Sequence, residues 1–214
     1  MISKIPPGIL EFYKPLSLWE CFYLRTRWRL CPFEKIESLV PRKGKILDLG
    51  CGYGLLANLL AARHPGRSVT GLDLNATRID VARRSAVGRR NITFYHADLE
   101  DIAGSRFDAI IMTDVLHHIP REKSGRLLSI AVSRLQASGR LIILDVDRVP
   151  AWKHYAARTI DRLLNPGASL YYRSREEMRQ LLERFSLQVE MTIPSHRGLP
   201  LSDIIYVCRK NPPS

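Results

Sequence analysis

The sequence predicts an α/β fold built around a mostly parallel sheet. Short apolar segments alternate with helical segments between residues 44 and 147, as in consecutive β-α-β units. A glycine-rich turn directly follows the first apolar segment. The 214 residues are enough for one domain with additions, and 45% of them are hydrophobic. This composition excludes collagen, low-complexity disorder and a small disulfide-stapled scaffold.

Local signals delimit the elements of this alternation. Apolar runs predict strands, and the segments between them carry partial helical periodicity. Asn75 is a predicted N-cap, and Ser174 with Glu177 forms a predicted capping box. The last two strands have no helix between them, so we expect them to pair antiparallel. The predicted strands are 45–49, 68–73, 92–97, 107–113, 140–145, 187–193 and 203–208, and the predicted helices are 55–62, 77–87, 121–136, 152–164 and 178–185.

Residues 1–43 and 148–173 fall outside this alternation. Together they carry 11 of the 17 aromatic residues, seven of them in the first segment. Residues 1–43 predict one or two short helices interrupted by Pro15 and Pro32. The predicted organisation is therefore an N-terminal helical extension or lid over 1–43 and a main domain over 44–214. The insertion at 148–173 carries a helix after the fifth strand.

The net charge and the cysteines indicate which partners and which cellular compartment to expect. The net charge of +12 favours anionic partners such as nucleic acid, a membrane surface or an acidic substrate. The basic residues form no continuous run, which slightly favours an arginine-rich surface without a specific partner. The four cysteines lack zinc-binding or redox spacing, and the N-terminus lacks an apolar secretion signal. We expect a cytoplasmic protein.

The strongest motif is the segment Asp48-Leu-Gly50-Cys-Gly52-Tyr-Gly54. It follows a strand and opens a helix, so its glycines let the backbone approach a ligand and the helix N-terminus favours negative charge. Dinucleotide enzymes also have a glycine turn, but with the spacing Gly-x-Gly-x-x-Gly. The acid before the turn would repel a pyrophosphate and attract an ammonium group. These two features argue against a dinucleotide and favour a ligand that carries an ammonium group.

This segment resembles the first motif of the class I S-adenosylmethionine-dependent methyltransferases. The segment Thr113-Asp-Val-Leu-His-His-Ile119 after the fourth strand resembles the form found in small-molecule and lipid-quinone enzymes. The resemblance covers residues 44–147 well and 174–209 loosely. It implies a Rossmann-like, doubly wound sheet of seven strands, mostly parallel, with an antiparallel last strand. It also implies S-adenosylmethionine as the cofactor.

The resemblance implies cofactor-binding positions at the ends of the first four strands. It places Asp73 at the ribose hydroxyls and Asp98 at the adenine amino group, with the backbone N–H of Leu99 facing the ring. Cys51 is interpreted as a small residue that fills the turn and not as a nucleophile. The predicted cofactor-binding residues are Asp48, Gly50, Cys51, Gly52, Gly54, Asp73, Leu74, Asp98, Leu99, Thr113 and Asp114.

His117 and His118 follow the fourth strand, where the acceptor should lie, and are the candidate general bases. Adjacent residues on a helical turn point about 100° apart, so at most one of them is expected to face the cofactor. Asp114 and His118 also resemble an acid and a histidine that hold a divalent metal in some relatives. Two ligands make an incomplete site, so we expect no metal.

The expected activity is methyl transfer to an oxygen, nitrogen or carbon atom of a small, apolar, aromatic or lipid-like acceptor. Relatives that methylate DNA or RNA amino groups carry Asn/Asp-Pro-Pro-Tyr/Phe after the fourth strand, where this chain has Thr113-Asp-Val-Leu. Nucleic acid is therefore the less favoured acceptor. An RNA-modifying methyltransferase and a non-catalytic S-adenosylmethionine-binding protein are the alternatives.

The aromatic residues outside the core suit an apolar acceptor pocket. A packing seam against the sheet or a dimer interface explains them equally well. Arginine and lysine residues are interleaved with them, which also suits peripheral contact with an anionic membrane. The oligomeric state is left open.

Overall fold

The computed structural model describes residues 5–102, 104–148, 155, 158–159, 162–163, 167, 169–194 and 203–210. The described helices are α1 (Pro7–Glu11), α2 (Leu18–Leu30), α3 (Phe33–Leu39), α4 (Leu55–Arg63), α5 (Ala76–Ser85), α6 (Arg121–Arg134) and α7 (Arg175–Glu183). The strands are β1 (Gly44–Leu49), β2 (Arg67–Asp73), β3 (Ile92–His96), β4 (Phe107–Thr113), β5 (Leu135–Val146), β6 (Leu187–Pro194) and β7 (Asp203–Lys210). Short 3-10 turns follow β3 (Leu99–Asp101) and β4 (Leu116–His118).

One sheet contains the strands in the order β3-β2-β1-β4-β5-β7-β6. Strands β1 to β5 pair in parallel, and β7 is antiparallel to both β5 and β6. This confirms the predicted fold class, including the antiparallel last strand. The strand order reverses between β1 and β4, and ligands of open α/β sheets bind at the carboxyl ends of the strands at such a switch point.

Apolar residues cover both faces of the sheet. Neighbouring residues of β1 face opposite sides, because Ile46 belongs to one buried cluster and Leu47 to the other. Both side chains are fully buried. Helices α1 to α5 contribute to the first cluster and helices α6 and α7 to the second. Burial on both faces is the expected state of parallel strands that are covered by helices.

Strand β5 starts five residues earlier than predicted, and helix α6 accordingly ends at Arg134. Leu135 is fully buried and pairs with Phe107, before a register irregularity that precedes Arg140. An added Cβ at Gly139 would lie 3.0 Å from the carbonyl oxygen of Phe107, so this close approach requires glycine. The strand therefore begins where core packing begins, and not where the apolar run begins.

The N-terminal segment forms three helices where the sequence predicts one or two. Pro15 lies between α1 and α2, and Pro32 precedes α3, as predicted. Ser17 and Glu20 form a capping box at the start of α2. The segment packs on the core through buried side chains such as Trp28. The helix predicted over 152–164 lies mostly outside the described residues.

Other local predictions are confirmed at their residues. The Asn75 side chain accepts a hydrogen bond from the Arg78 N–H and so caps α5. Ser174 and Glu177 form the predicted capping box of α7. Within the described part of the chain, no helix has both the length and the apolar character needed to cross a bilayer.

Candidate functional site

A cavity of about 910 Å³ opens at the carboxyl ends of β1, β2 and β4. Helix α2, the glycine turn, the segments after β2, β3 and β4 and the start of α6 form its walls. It brings together most of the predicted cofactor-binding residues, although they are distant in the sequence. Those that line it are Asp48, Gly50, Cys51, Gly52, Asp73, Leu74, Asp98, Thr113 and Asp114.

The glycine turn after β1 is held by hydrogen bonds to the end of β2. The N–H of Gly50 donates to the carbonyl oxygen of Leu72 at 2.8 Å. Gly50 has a φ of 74°, and an added Cβ there would lie 2.4 Å from a methyl carbon of Val115. The N–H of Gly52 donates to Oδ2 of Asp73 at 2.8 Å. These contacts set the backbone of the turn against the cavity, and at Gly50 a side chain would collide with Val115.

Asp73 ends β2 with both carboxylate oxygens engaged by the backbone. Oδ2 accepts from Gly52, and Oδ1 accepts from the N–H of Asn75 at 2.8 Å. Each carboxylate oxygen can accept more than one hydrogen bond, so both retain capacity for a further donor. The arrangement fits a pair of ribose hydroxyls.

Asp48 is a buried carboxyl at the end of β1. It is 1% exposed, and its Oδ2 has no hydrogen-bond partner among the described residues. Burial raises the pKa of Asp48 to about 7, and the charge of Asp73 adds to the rise. The hydroxyl of Thr113, at the end of β4, also has no partner in the described part of the chain. These two groups fit a ligand that brings an ammonium group and other polar atoms.

Asp114 links the cavity to helix α2. Its backbone is in the left-handed region, with a φ of 56°. Its Oδ2 lies 2.8 Å from Nη2 of Arg27 and also accepts from the thiol of Cys31 at 3.3 Å. Burial raises the pKa of Asp114, but the Arg27 guanidinium outweighs this and holds that pKa below its usual value. The sequence did not predict the contact of Arg27 with Asp114, because no local pattern indicates a contact so distant in the chain.

Two of the predicted cofactor-binding residues, Gly54 and Leu99, do not line the cavity. An added Cβ at Gly54 would lie 2.5 Å from the Phe94 ring, so this glycine allows α4 to pack on β3. The side chain of Leu99 is fully buried in the core. Its N–H donates to Oδ1 of Asp98 at 2.6 Å, in the capping box of the 3-10 turn. The cap engages this N–H in the structure, and its position against the adenine ring stays a prediction.

The two histidines point to different surroundings. His118 lines the cavity, whereas His117 is fully buried and its Nδ1–H donates to Oδ1 of Asp145. Their ring centroids are 4.3 Å apart. Burial, together with the neighbouring His117, lowers the pKa of His118 to about 4, so that His118 is neutral at pH 7. Of the two candidate bases, His118 is the one that the structure places at the cavity.

Cys51 lines the cavity without the properties of a nucleophile. Burial, with the charges of Asp48 and Asp73, raises the pKa of its thiol well above the usual value. A nucleophilic cysteine needs a lowered pKa. The side chain fits the predicted role of a small residue in the turn.

Helix α2, which belongs to the predicted lid, contributes an apolar wall to the cavity, although none of its residues was predicted individually as a site residue. Tyr23 and Leu24 line the cavity, together with Phe33 of α3. The ring of Tyr23 contacts the ring of Tyr53 in the glycine turn, with centroids 4.5 Å apart. The only sequence signal was the general excess of aromatic residues before residue 43. Among the described residues, no group of three or more His, Cys, Asp or Glu side chains is arranged to hold a metal.

Comparison with known proteins identifies the family. Residues 46–139 match the family model described as a methyltransferase domain. The ubiquinone biosynthesis O-methyltransferase of Coxiella burnetii is 35% identical over 151 residues, which cover 69% of this chain and 62% of that protein. The chain belongs to the class I S-adenosylmethionine-dependent methyltransferases, and the cofactor of this family is S-adenosylmethionine. It spans less than two thirds of the length of this relative.

Solved structures show the same fold at low identity. Mitomycin 7-O-methyltransferase superposes with a TM-score of 0.72 and 21% identity, over 94% of this chain and 60% of that one. The magnesium protoporphyrin IX methyltransferase of Synechocystis PCC 6803, with bound SAH, superposes with a TM-score of 0.67 and 23% identity. That match covers 94% of this chain and 92% of the other. These likenesses support the architecture and not a particular acceptor.

Proposed function

We propose that this chain transfers the methyl group of S-adenosylmethionine to an oxygen atom of a small, apolar or aromatic acceptor. The observation that carries the proposal is the shared cavity, which contains the predicted cofactor residues, the apolar wall of α2 and the His118 imidazole. Similarity to an enzyme named as a ubiquinone biosynthesis O-methyltransferase supports oxygen as the methylated atom.

The acidic residues at the strand ends hold the cofactor in this proposal. Asp73 binds the ribose hydroxyls through the lone pairs that Gly52 and Asn75 leave available. Asp98 binds the adenine amino group from the end of β3. Asp48 pairs with the ammonium group of the methionine part, which compensates for the burial of its carboxylate.

His118 serves as the proton acceptor in this proposal. The bound cofactor supplies an electrophilic methyl group, so the protein need not form a covalent intermediate. The chain aligns the acceptor in the cavity, excludes water and removes the proton of the reacting hydroxyl. The His118 imidazole lines the cavity and its Nδ1 has no hydrogen-bond partner among the described residues, so it can accept that proton.

A lipid-like acceptor and peripheral contact with a membrane complete the proposal. Leu24, Phe33 and Ile119 supply apolar surface at the cavity. The net charge of +12 and the exposed aromatic residues of α2 support contact with an anionic membrane. The comparisons give no support to an RNA-modifying enzyme or to a non-catalytic binding protein.

A transfer assay with a methyl-labelled cofactor tests this function. We expect label in phenols or quinols, including prenylated ones, and none in total RNA. The variant His118→Asn should slow transfer without weakening cofactor binding. His64→Asn is the matched control. His64 lies between α4 and the start of β2, at the amino ends of the strands, whereas the cavity lies at their carboxyl ends. Label in RNA alone, or cofactor binding without turnover on any acceptor, would contradict the proposal.

A further inference from the structure

Helix α2 presents a cluster of large apolar side chains to solvent. Leu18 is 93% exposed, Trp19 56% and Phe22 55%. The rings of Trp19 and Phe22 are neighbours, with centroids 5.6 Å apart. Single exposed apolar side chains are normal on a protein surface, whereas a contiguous group marks a contact site. We call these three residues the α2 apolar patch.

The rotation of α2 about its axis is set by its other face. Tyr23, Leu24 and Trp28 are buried against the core. Arg27 forms its ion pair with Asp114 at 2.8 Å. Turning the α2 apolar patch inward would expose these side chains and break the ion pair. The patch is therefore a stable feature of the surface, and no described residue covers it.

Cations extend the α2 apolar patch along the helix. Arg25 and Arg29 are exposed and follow the patch at helical spacing, and Lys14 is exposed just before the helix. Within the described part of the chain, none of these three forms an ion pair. The acid on this helix, Glu20, is already engaged by Arg84 at 2.5 Å. The surface therefore combines apolar side chains with uncompensated positive charge.

We propose that the α2 apolar patch and these three cations dock the protein on an anionic lipid surface. Aromatic and aliphatic side chains enter the boundary between head groups and acyl chains, while guanidinium and ammonium groups contact the phosphates. The net charge of +12 adds attraction to such a surface. The same charge opposes association with a second copy of the chain.

Docking in this orientation places the membrane on the outer face of α2, and the inner face of the same helix lines the cavity. Tyr23 and Arg27 line the cavity and lie on the same helix as the patch. An amphiphilic acceptor would then pass from the lipid layer along α2 into the cavity. The docking deepens the membrane contact of the proposed function by naming its surface, and this last step rests on the proposed methyl transfer as well.

Vesicle sedimentation tests the docking without cofactor or acceptor. We expect the wild type to sediment with phosphatidylglycerol vesicles at low salt and to be released by high salt. Phosphatidylcholine vesicles should retain little protein. The double variants Trp19→Ser/Phe22→Ser and Arg25→Glu/Arg29→Glu should each weaken binding by about tenfold or more.

Matched controls lie outside α2, in the segments before β3 and β4. Val87 is 82% exposed just after α5, and Arg90 and Arg106 are exposed before β3 and β4. Val87→Ser removes one exposed apolar side chain, and Arg90→Glu/Arg106→Glu makes the same charge change as the α2 variant. We expect both controls to bind vesicles like the wild type.

Three results would overturn the docking proposal. The wild type would fail to bind phosphatidylglycerol vesicles at low salt, or the α2 variants would bind them as well as the wild type. Alternatively, sedimentation equilibrium would show a dimer that the patch variants dissociate, which would assign the patch to a second copy. Calorimetric binding of S-adenosylhomocysteine, measured for each variant without lipid, reports separately on the proposed function and on folding.

Discussion

The carboxyl group of Asp48 is buried at the end of β1, beside the turn that the sequence assigns to the cofactor. Its pKa rises from 3.8 to about 7, because water is excluded and the charge of Asp73 is near. The sequence indicates an acid at this position, but not its protonation state. That state depends on the strands that enclose it, which come from other parts of the chain.

Replacing Asp48 by Asn should stabilise the protein at high pH. A folded-state pKa above the unfolded value means that the folded state binds the proton more tightly, so stability falls as pH rises from about 4 to 7. A rise from 3.8 to about 7 corresponds to at most roughly 4 kcal/mol. The advantage of Asp48→Asn should be absent at pH 4 and largest at pH 8, as measured by denaturant unfolding.

The exposed Asp80 provides a control for this prediction, since its side chain is 72% exposed. Asp80→Asn should change stability little at either pH. An advantage of Asp48→Asn that is equal at pH 4 and pH 8 would show that the Asp48 carboxyl ionises normally. The same variant should bind the cofactor more weakly, because the amide cannot neutralise an ammonium group.

Asp73→Ala should weaken S-adenosylhomocysteine binding by roughly 2–3 kcal/mol, the scale of charge-assisted hydrogen bonds. Asp73 also accepts from the N–H of Gly52, so the variant loosens the glycine turn as well. Calorimetry measures the change, with circular dichroism to show that the variant is folded. An unchanged dissociation constant in a folded variant would remove Asp73 from the site.

At the scale of elements, α2 joins parts of the site that are distant in sequence. Tyr23 contacts the glycine turn through Tyr53, and Arg27 contacts Asp114 after β4. The helix therefore covers the cavity and is held by an ion pair that is partly withdrawn from water, with side-chain exposures of 19% and 14%. Removing one partner of such a pair leaves an uncompensated charge.

Arg27→Met should therefore destabilise the protein by about 2–3 kcal/mol, less than for a fully buried pair. Adding Asp114→Asn should restore much of this loss, because the unpaired charge is then gone. Urea unfolding measures both effects. Arg179→Met is the control, since Arg179 and Glu183 form an exposed pair whose loss should cost less than about 1 kcal/mol. A double variant less stable than Arg27→Met would contradict this description.

The elements that local signals determine could be predicted from the sequence. Parallel strands read as apolar runs, and the Asn75 cap and the Ser174 capping box depend on residues within one helical turn. The early start of β5 could not be predicted, because it depends on pairing with Phe107. Both sides of α2 carry tryptophan, so the sequence does not show that Trp28 is buried and Trp19 exposed.

The site residues also divide into those that a local motif indicates and those whose contacts depend on tertiary packing. The glycine turn and Asp73 could be predicted because a short motif carries them and they come together at the switch point of the sheet. The Arg27–Asp114 ion pair and the different surroundings of His117 and His118 depend on tertiary packing. Sequence spacing indicated only that the two histidines would diverge.

At the scale of the whole molecule, the cavity and the α2 surface lie next to each other. One helix supplies a wall of the cavity and the exposed apolar patch beside it. The fold, the acidic strand ends and the family all point to the same nucleoside cofactor. Cofactor selectivity is therefore the property on which the remaining proposals depend.

Calorimetry with S-adenosylhomocysteine and with NAD tests this selectivity most directly. The buried Asp48 disfavours a pyrophosphate beside the glycine turn, whereas an ammonium group supplies its missing partner. We expect S-adenosylhomocysteine to bind at least about a hundredfold more tightly than NAD, a difference of roughly 2.7 kcal/mol. NAD binding as tight as that of S-adenosylhomocysteine, or tighter, would contradict the assignment of this site.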